Sequence, residues 1–216
     1  MPVLNPELFA TFLVAACVVI AAPGPDSLNT LAIGMSRGRR EAVAYALGVG
    51  IGCMTHTLWA VLGVAALVAA SAALFTLVKL AGVGYLLWLG VQALRSRGAL
   101  APRDGAGPAA AAALPARRRL LQGTLTNALN PKVMLFFLAF LPQFADPRLG
   151  AVGAQMFWMG TSFAAITTTA YVALGAGAGT VGTRLLRRPS LARWLDRATG
   201  ALFIGLALRL VLADRR

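Results

Sequence analysis

The chain has 216 residues, of which 58% are hydrophobic and only 12% are charged. Soluble domains carry about 25% charged residues, so a chain this short has too little polar surface for a water-soluble fold, and an integral membrane protein is predicted. The net charge of +13 comes from short basic clusters between apolar runs, without the contiguous basic groove and interleaved aromatics of a nucleic-acid-binding protein.

Six apolar runs are candidates to cross a bilayer, which requires roughly 20 residues. They are residues 5–36, 42–70, 72–95, 120–144, 151–178 and 193–213. The first run is too long for one straight helix, because at about 1.5 Å per residue it exceeds a hydrocarbon core of about 30 Å. We therefore predict two half-helices that meet at Pro23–Pro25. Glu7 stands where a cleaved signal peptide has a basic segment, so we expect the first span to be retained.

Basic residues are concentrated in alternate connections between these runs. The first, third and fifth connections are rich in arginine, the first containing Arg37, Arg39 and Arg40. The second connection has no basic residue, and the fourth has only Arg148. The positive-inside rule therefore places connections one, three and five in the cytoplasm and both termini outside, although Arg215 and Arg216 oppose this at the C-terminus.

The chain divides into two similar halves, a first three-helix repeat at residues 1–95 and a second at 120–216. Residues 96–119 form a cytoplasmic linker between them, of low complexity over 96–116. The third and sixth spans share a spacing of basic, glycine and aromatic residues: Lys79, Gly82 and Tyr85 against Arg197, Gly200 and Phe203. Three spans repeated once must be inserted in opposite orientations, which is typical of secondary transporters. The alternative, chance similarity between apolar helices, is disfavoured by proline breaks in both the first and fourth spans.

Pro23, Gly24 and Pro25 interrupt the first span immediately before Asp26. Proline has no backbone N–H and clashes with the preceding turn, and backbone groups freed in lipid need another partner. One interpretation is a simple kink. The other is that a half-helix begins near the midplane, is capped by Asp26 and Ser27, and points its positive end into a cavity.

Asp26 is the only acid that we place deep in a span, and an intramembrane carboxylate is costly enough to be a functional candidate. Three roles are open: it binds a substrate ammonium group, takes up a coupling proton, or forms a structural ion pair with Lys132. Lys132 follows the break of the fourth span, where Asn130 is the expected helix cap and Pro131 the first helical residue.

Further polar residues lie near the breaks. Asn127 and Asn130 are three residues apart and share a helical face, and Asn29 lies one turn beyond Asp26. We interpret them as the polar lining of a site. His56, in the second span, is either a proton relay or a histidine that is hydrogen-bonded between helices.

The sequence contains no motif of enzymatic or cofactor chemistry: no paired carboxylates, HExxH, P-loop or Ser/His/Asp set. No enzyme activity and no cofactor are predicted, and the expected energy source is an ion gradient. Cys17 and Cys53 lie in apolar runs without CxxC spacing, so neither a disulfide nor a metal site is expected. A GxxxG spacing from Gly48 to Gly52 indicates close helix packing. The sequence is compatible both with a monomer and with a homo-oligomer.

Two stretches in combination resemble the signatures of the LysE/RhtB family of bacterial amino-acid exporters. They are PGPDSLNTLAIGMSRGRREAVAYALGVGIG at 23–52 and GTLTNALNPKVMLFFLAFLPQF at 123–144. VKLAGVGYLLWLGVQALR at 78–95 is similar to the family's third-helix pattern. The resemblance implies a multi-pass protein of the bacterial inner membrane that exports amino acids or close derivatives, driven by the proton-motive force. Some relatives are linked to cadmium resistance.

The expected protein is therefore an all-α integral membrane exporter with six transmembrane helices in two inverted three-helix repeats. In its site, Lys132 or a helix end holds the substrate carboxylate, and Asp26 receives the ammonium group or a proton. Asn29, Asn127 and Asn130 supply hydrogen bonds. Two other classes remain open: a metal-ion exporter or channel of the cadmium type, and a membrane enzyme or assembly factor.

Overall fold

The computed structural model describes residues 4–70, 72–95, 114–180 and 189–212, and every regular element in these ranges is helical. The helices are α1 (Pro6–Ala21), α2 (Pro25–Arg37), α3 (Arg39–Ala70), α4 (Ala72–Arg95), α5 (Ala116–Ala128), α6 (Pro131–Leu135), α7 (Val152–Ala176) and α8 (Pro189–Leu212). After α6 the chain forms a π-helical turn at Phe136–Phe140 and 3-10 turns at Leu141–Phe144 and Pro147–Leu149. The predicted all-α class is confirmed.

Both predicted breaks are present. Helices α1 and α2 meet at an angle of 51°, and α5 meets the helical stretch Pro131–Phe144 at 49°. Among the described residues, Arg39–Gly63 is long and apolar enough to cross a membrane by itself, and each bent pair reaches that length if it is one span. Length and composition thus support between one and three spans within the described ranges.

The distribution of side chains is that of a membrane protein. Large apolar residues lie on the outside, with Val14, Leu62 and Leu129 between 65% and 77% exposed. Polar side chains lie inside, as Asp26 and Asn127 do at 2% and 0% exposure. Large contiguous apolar surface is rare on soluble monomers, so this exterior is suited to lipid.

Glycines let α3 and α5 pack backbone against backbone. A Cβ atom on Gly48 would overlap the carbonyl oxygen of Leu120, and one on Gly123 would overlap that of Tyr45. A Cβ on Gly52 would lie 2.6 Å from the Cβ of Asn127. The predicted close packing at Gly48 and Gly52 is confirmed, and it occurs within one chain.

Polar contacts join the two halves at both ends of the broken pairs. At one end, Arg119 Nε donates to Glu41 Oε2 at 2.6 Å. At the other, Asn5 Nδ2 donates to Asp146 Oδ2 at 2.9 Å, and this hydrogen bond lowers the pKa of Asp146. The start of each broken pair therefore lies beside the end of the other, so the two pairs run in opposite directions.

Part of the predicted linker and of the charge pattern lies outside the described residues. This holds for 96–113, for the arginines of 181–188, and for Arg215 and Arg216. Of the linker's remaining residues, 116–119 form the first turn of α5.

We expect Gly48→Ala to destabilise the protein by about 1–3 kcal/mol, because the added methyl group forces two helix backbones apart. Thermal unfolding of the purified protein in detergent measures the effect. Gly63→Ala is the control on the same helix, since a Cβ at Gly63 meets no atom within 4 Å. Equal melting temperatures for the two variants would contradict the packing described.

Candidate functional site

The carboxylate of the first break is held by the amides of the second. Asp26 is the second residue of α2, directly after Pro25. Its Oδ2 accepts hydrogen bonds from Asn127 Nδ2 and Asn130 Nδ2, both at 2.8 Å. Since all three side chains are almost fully buried, this contact joins the two halves of the chain in the interior.

The ammonium group of the second break contacts the backbone of the first. Lys132 is the second residue of α6, and its Nζ donates to the carbonyl oxygens of Ala22 at 2.9 Å and Val19 at 3.1 Å. The Val19 carbonyl would ordinarily accept from the N–H four residues later, but that residue is Pro23, which has none. Lys132 thus satisfies a carbonyl that the proline leaves free.

Two further side chains satisfy break carbonyls from the opposite half. The Tyr171 hydroxyl donates to Ile20 O at 3.1 Å. His56 Nε2 lies 2.8 Å from Asn127 O, and because a carbonyl only accepts, Nε2 carries the proton. The interhelical hydrogen bond was one of the two interpretations of His56, and the structure shows that bond.

Asp26 and Lys132 form no ion pair within 4.0 Å. Each is bonded instead to neutral groups of the opposite break. The structural ion pair, one of the three roles open for Asp26, is therefore not observed. Asp196, near the start of α8, is a second buried acid.

The predicted cap of α2 is only partly correct. Ser27 Oγ accepts from Gly24 N at 3.1 Å, as expected for a residue near a helix start. The Asp26 side chain points to the asparagines of the other half and does not cap α2. At the second break, Asn130 Oδ1 accepts from Lys132 N at 3.0 Å, which is the predicted cap.

A small cavity lies between the breaks, with about 180 Å³ of empty space including its open mouth. Its polar lining is Asp26, Asn127, Lys132 and Thr167, and its apolar lining includes Val19, Ile20, Val133, Phe163 and the ring of Tyr171. The space inside it that a water molecule can occupy is only about 10 Å³, which is enough for about one water molecule and far below the roughly 300–1,000 Å³ of ordinary ligand pockets.

Not every predicted residue belongs to this cavity. Asn29 Nδ2 donates to the Tyr45 hydroxyl at 3.2 Å, and neither Asn29 nor His56 is among the lining residues. Asn130 acts indirectly, by holding Asp26. Sequence reasoning missed α7, which contributes Phe163, Thr167 and Tyr171; three consecutive threonines at 167–169 in an apolar run were the available signal.

Three buried oxygen atoms have no hydrogen-bond partner in the described part of the chain: Asp26 Oδ1, Asn127 Oδ1 and Thr167 Oγ1. A buried polar atom left unsatisfied costs about 1–3 kcal/mol. All three belong to residues that line the same cavity. The Cys53 thiol, a weak donor, lies beside Asn127 and Thr167. Cys53 is thus a weak hydrogen-bond partner of Asn127 and Thr167, and it does not itself line the cavity.

The described residues contain no group of three or more His, Cys, Asp or Glu side chains placed to hold a metal ion. Cys53 lies closer to the second break than its sequence position suggested, since it follows Gly52, which packs on Asn127. Asp26 and Cys53 alone provide too few ligands for a tetrahedral site of soft metal ions.

The sequence is similar to known translocators and efflux proteins. The model of the family described as LysE type translocator matches residues 17–214. A leucine efflux protein of Klebsiella pneumoniae is 33% identical over 203 residues, which cover 94% of this chain and 93% of the relative. A threonine efflux protein of Escherichia coli is 31% identical over 207 residues, covering 95% and 98%. An uncharacterised membrane protein of Vibrio cholerae is 33% identical over 210 residues, covering 96% and 98%. No solved structure matches the chain.

We expect Tyr171→Phe to lower the free energy of unfolding by about 1–3 kcal/mol. The Ile20 carbonyl loses its hydrogen-bond donor, and lipid has no donor to replace it. Thermal unfolding in detergent checks this. Tyr85→Phe is the control, since Tyr85 is only half-buried and its hydroxyl has no hydrogen bond among the residues described. If Tyr85→Phe were as destabilising as Tyr171→Phe, the contact would not be what stabilises the break.

Proposed function

The chain belongs to the LysE-type translocator family, and from that premise we propose that it is a secondary transporter that exports amino acids or close derivatives from the cytoplasm. Membership in a translocator family makes it a transporter and not an enzyme. The names of the leucine and threonine efflux relatives support an amino-acid substrate and the outward direction.

The observation that carries the proposal is the pair of separated opposite charges in one cavity. Asp26 and Lys132 both line it, both are buried, and neither neutralises the other directly. An amino acid is a zwitterion with an ammonium group and a carboxylate a few ångströms apart. Its two charges match those of the site, and each would be paired, which is what burial of charge requires.

The proposed roles follow from the contacts. Lys132 has three N–H donors, of which two are used by Val19 and Ala22, so one remains for the substrate carboxylate. Asp26 has one oxygen free for the ammonium group. Asn127 and Asn130 hold the other oxygen and thereby orient the carboxylate. Pro23, Gly24, Pro25 and Pro131 open the helices at this level.

The breaks also support two inverted three-helix repeats, residues 1–95 and 120–216, in a six-span protein of the bacterial inner membrane. Asp26 and Lys132 occupy the same position after Pro25 and Pro131, and each contacts the other's break. The broken pairs run in opposite directions, as an inverted repeat requires.

For the energy source we propose the proton-motive force, with Asp26 as the coupling group. Its free oxygen takes either a proton from the outside or the substrate ammonium group from the inside, and not both. Because Asp26 binds only one of the two at a time, the proton and the substrate are transported in exchange for each other. His56 stays a positioning group in this scheme, because its Nε2 proton is committed to Asn127 O.

We expect Asp26→Asn and Lys132→Gln each to abolish export, because each removes the partner of one substrate charge. Overexpression of the wild type should protect cells against toxic amino-acid analogues, and the two variants should not. Glu7→Gln, an acid-to-amide change at an exposed position of α1, is the control. Full protection by Asp26→Asn at normal protein levels would contradict the mechanism; protection against cadmium but not analogues would favour a metal exporter.

The proposed topology places both termini outside the cytoplasm. An alkaline phosphatase reporter, which folds only outside, should be active when it is fused to the C-terminus, and a fluorescent reporter should be dark there. A fusion after Arg95, in the third connection, is the control with the opposite expectation. A bright fluorescent protein at the C-terminus would contradict the proposed orientation, and fluorescence both there and after Arg95 would rule out three spans between these two points.

A further inference from the structure

We propose that the end of the protein at which α3 and α5 begin binds an anionic phospholipid. The phosphate of the lipid would contact the arginine cluster, which consists of the exposed residues Arg39, Arg40, Arg117 and Arg118 in the first turns of these two helices. The acyl chains would lie along the apolar helix faces that continue from the cluster. None of the four arginines lines the cavity at the breaks, so this is a second binding site.

The packing of α3 on α5 brings the two pairs of arginines to the same end of the protein. Near the starts of the helices, Arg119 of α5 contacts Glu41 of α3. Further along, Gly52 of α3 packs on Asn127 of α5. The residue numbers of the contacts rise together, so the helices run parallel and begin side by side. The arginine cluster therefore places four positive charges at one end.

The arginine cluster has no counter-ion among the described residues. Glu41, the acid in the first turn of α3, is already neutralised by Arg119, whose Nε lies 2.6 Å from its Oε2. The first turn of α5 contains no acid. No ion pair involves any of the four exposed arginines within the described ranges. The compensating negative charge is therefore expected from a bound ligand.

The position of the arginines in their helices also favours a bound anion. A helix N-terminus carries a partial positive charge, which favours acidic residues and opposes basic ones. α5 follows Pro115, which makes no side-chain cap hydrogen bond, so backbone N–H groups at its start lack a cap. A phosphate at this place would neutralise the arginines and accept hydrogen bonds from such N–H groups.

The surface next to the arginine cluster indicates that the anion is a phospholipid and not a soluble phosphate. Leu121, Leu125 and Leu129 of α5 are between 51% and 77% exposed. They are four residues apart and form one stripe along the helix. This stripe begins one turn beyond Arg117 and Arg118. α3 has further exposed apolar residues beyond its own arginines, at Leu47, Ile51 and Leu58. Arginines followed by apolar stripes match a phosphate followed by acyl chains.

The excess of arginine determines which headgroup is preferred. A phosphatidylcholine headgroup carries an ammonium group in addition to its phosphate, and this would bring a further positive charge to the cluster. Phosphatidylglycerol carries a net negative charge. Guanidinium groups bind phosphate oxygens through two parallel hydrogen bonds, and clustered basic residues at the membrane surface attract anionic lipids. An anionic lipid is therefore preferred to a zwitterionic one.

Thermal unfolding of the full-length protein in detergent micelles with added lipid tests this preference. Phosphatidylglycerol should raise the melting temperature of the wild type more than phosphatidylcholine does, and Arg117→Gln/Arg118→Gln should lose most of the difference. In phosphatidylcholine alone this variant should melt at or above the wild-type temperature, because the start of α5 becomes less positive. An equal loss of melting temperature in both lipids would show a purely structural role and would overturn the inference.

Arg148→Gln is the matched control, since Arg148 is an exposed arginine in the turn at Pro147–Leu149, at the opposite end of the broken pairs. It should keep the full stabilisation by phosphatidylglycerol. If Arg148→Gln and Arg117→Gln/Arg118→Gln lost the same part of the stabilisation, the lipid would respond only to the total charge of the protein. The assigned site would then be wrong.

A titration distinguishes a phospholipid from a soluble anion. The apparent Kd for phosphatidylglycerol, measured from the shift in melting temperature, should rise about tenfold or more in Arg117→Gln/Arg118→Gln. Glycerol phosphate and inorganic phosphate, added to the wild type at the same ionic strength, should give no comparable shift because they lack acyl chains. Stabilisation by either soluble anion equal to that by phosphatidylglycerol would overturn the assignment of a phospholipid.

Discussion

Two helices that are broken in the interior of a membrane protein leave backbone groups to which lipid cannot hydrogen-bond. The rest of the structure depends on which protein groups supply the missing hydrogen bonds. The carbonyls of Val19, Ile20 and Ala22 at the first break accept from Lys132 and Tyr171, and the carbonyl of Asn127 at the second accepts from His56. Every one of these donors comes from the opposite half of the chain. Each break also has bonds within its own half, such as Asn130 N to Asn127 O at 2.8 Å, but the carbonyls of Val19, Ile20 and Ala22 accept these side-chain bonds only when the halves are docked.

The two halves can form these interior hydrogen bonds only if their helices pack very closely. Gly48 and Gly52 bring α3 against α5, so that His56, one turn beyond Gly52, reaches the Asn127 carbonyl. Between helices in lipid there is no hydrophobic driving force, so such contacts depend on close packing and on interhelical hydrogen bonds. The glycines of α3 therefore allow the close packing that its buried polar residues need in order to reach their partners on α5. The hydrogen bonds in turn hold the closely packed helices together.

The same arrangement keeps two opposite charges close without pairing them. Asp26 is held by two amides and Lys132 by two carbonyls, which stabilises each charge and leaves part of its bonding capacity unused. A direct ion pair would have consumed that capacity. The groups that complete the fold at the breaks are thus the same groups for which we propose a role in substrate binding.

The sequence by itself determined what is local: the helical class, the break positions at Pro23–Pro25 and Pro131, the Asn130 cap and the small-residue packing at Gly48 and Gly52. These follow from proline's missing N–H, from cap chemistry and from glycine's size, and they need no knowledge of distant contacts. Only the tertiary structure decided which side chains meet. In it, Asp26 is hydrogen-bonded to Asn127 and Asn130, and Lys132 is hydrogen-bonded to backbone carbonyls at the end of α1. Asn29 does not line the cavity, whereas Thr167 and Tyr171 do. These contacts join residues that are 101 to 151 positions apart in the sequence. The spacing of residues along one helix does not predict which face of a distant helix packs against it.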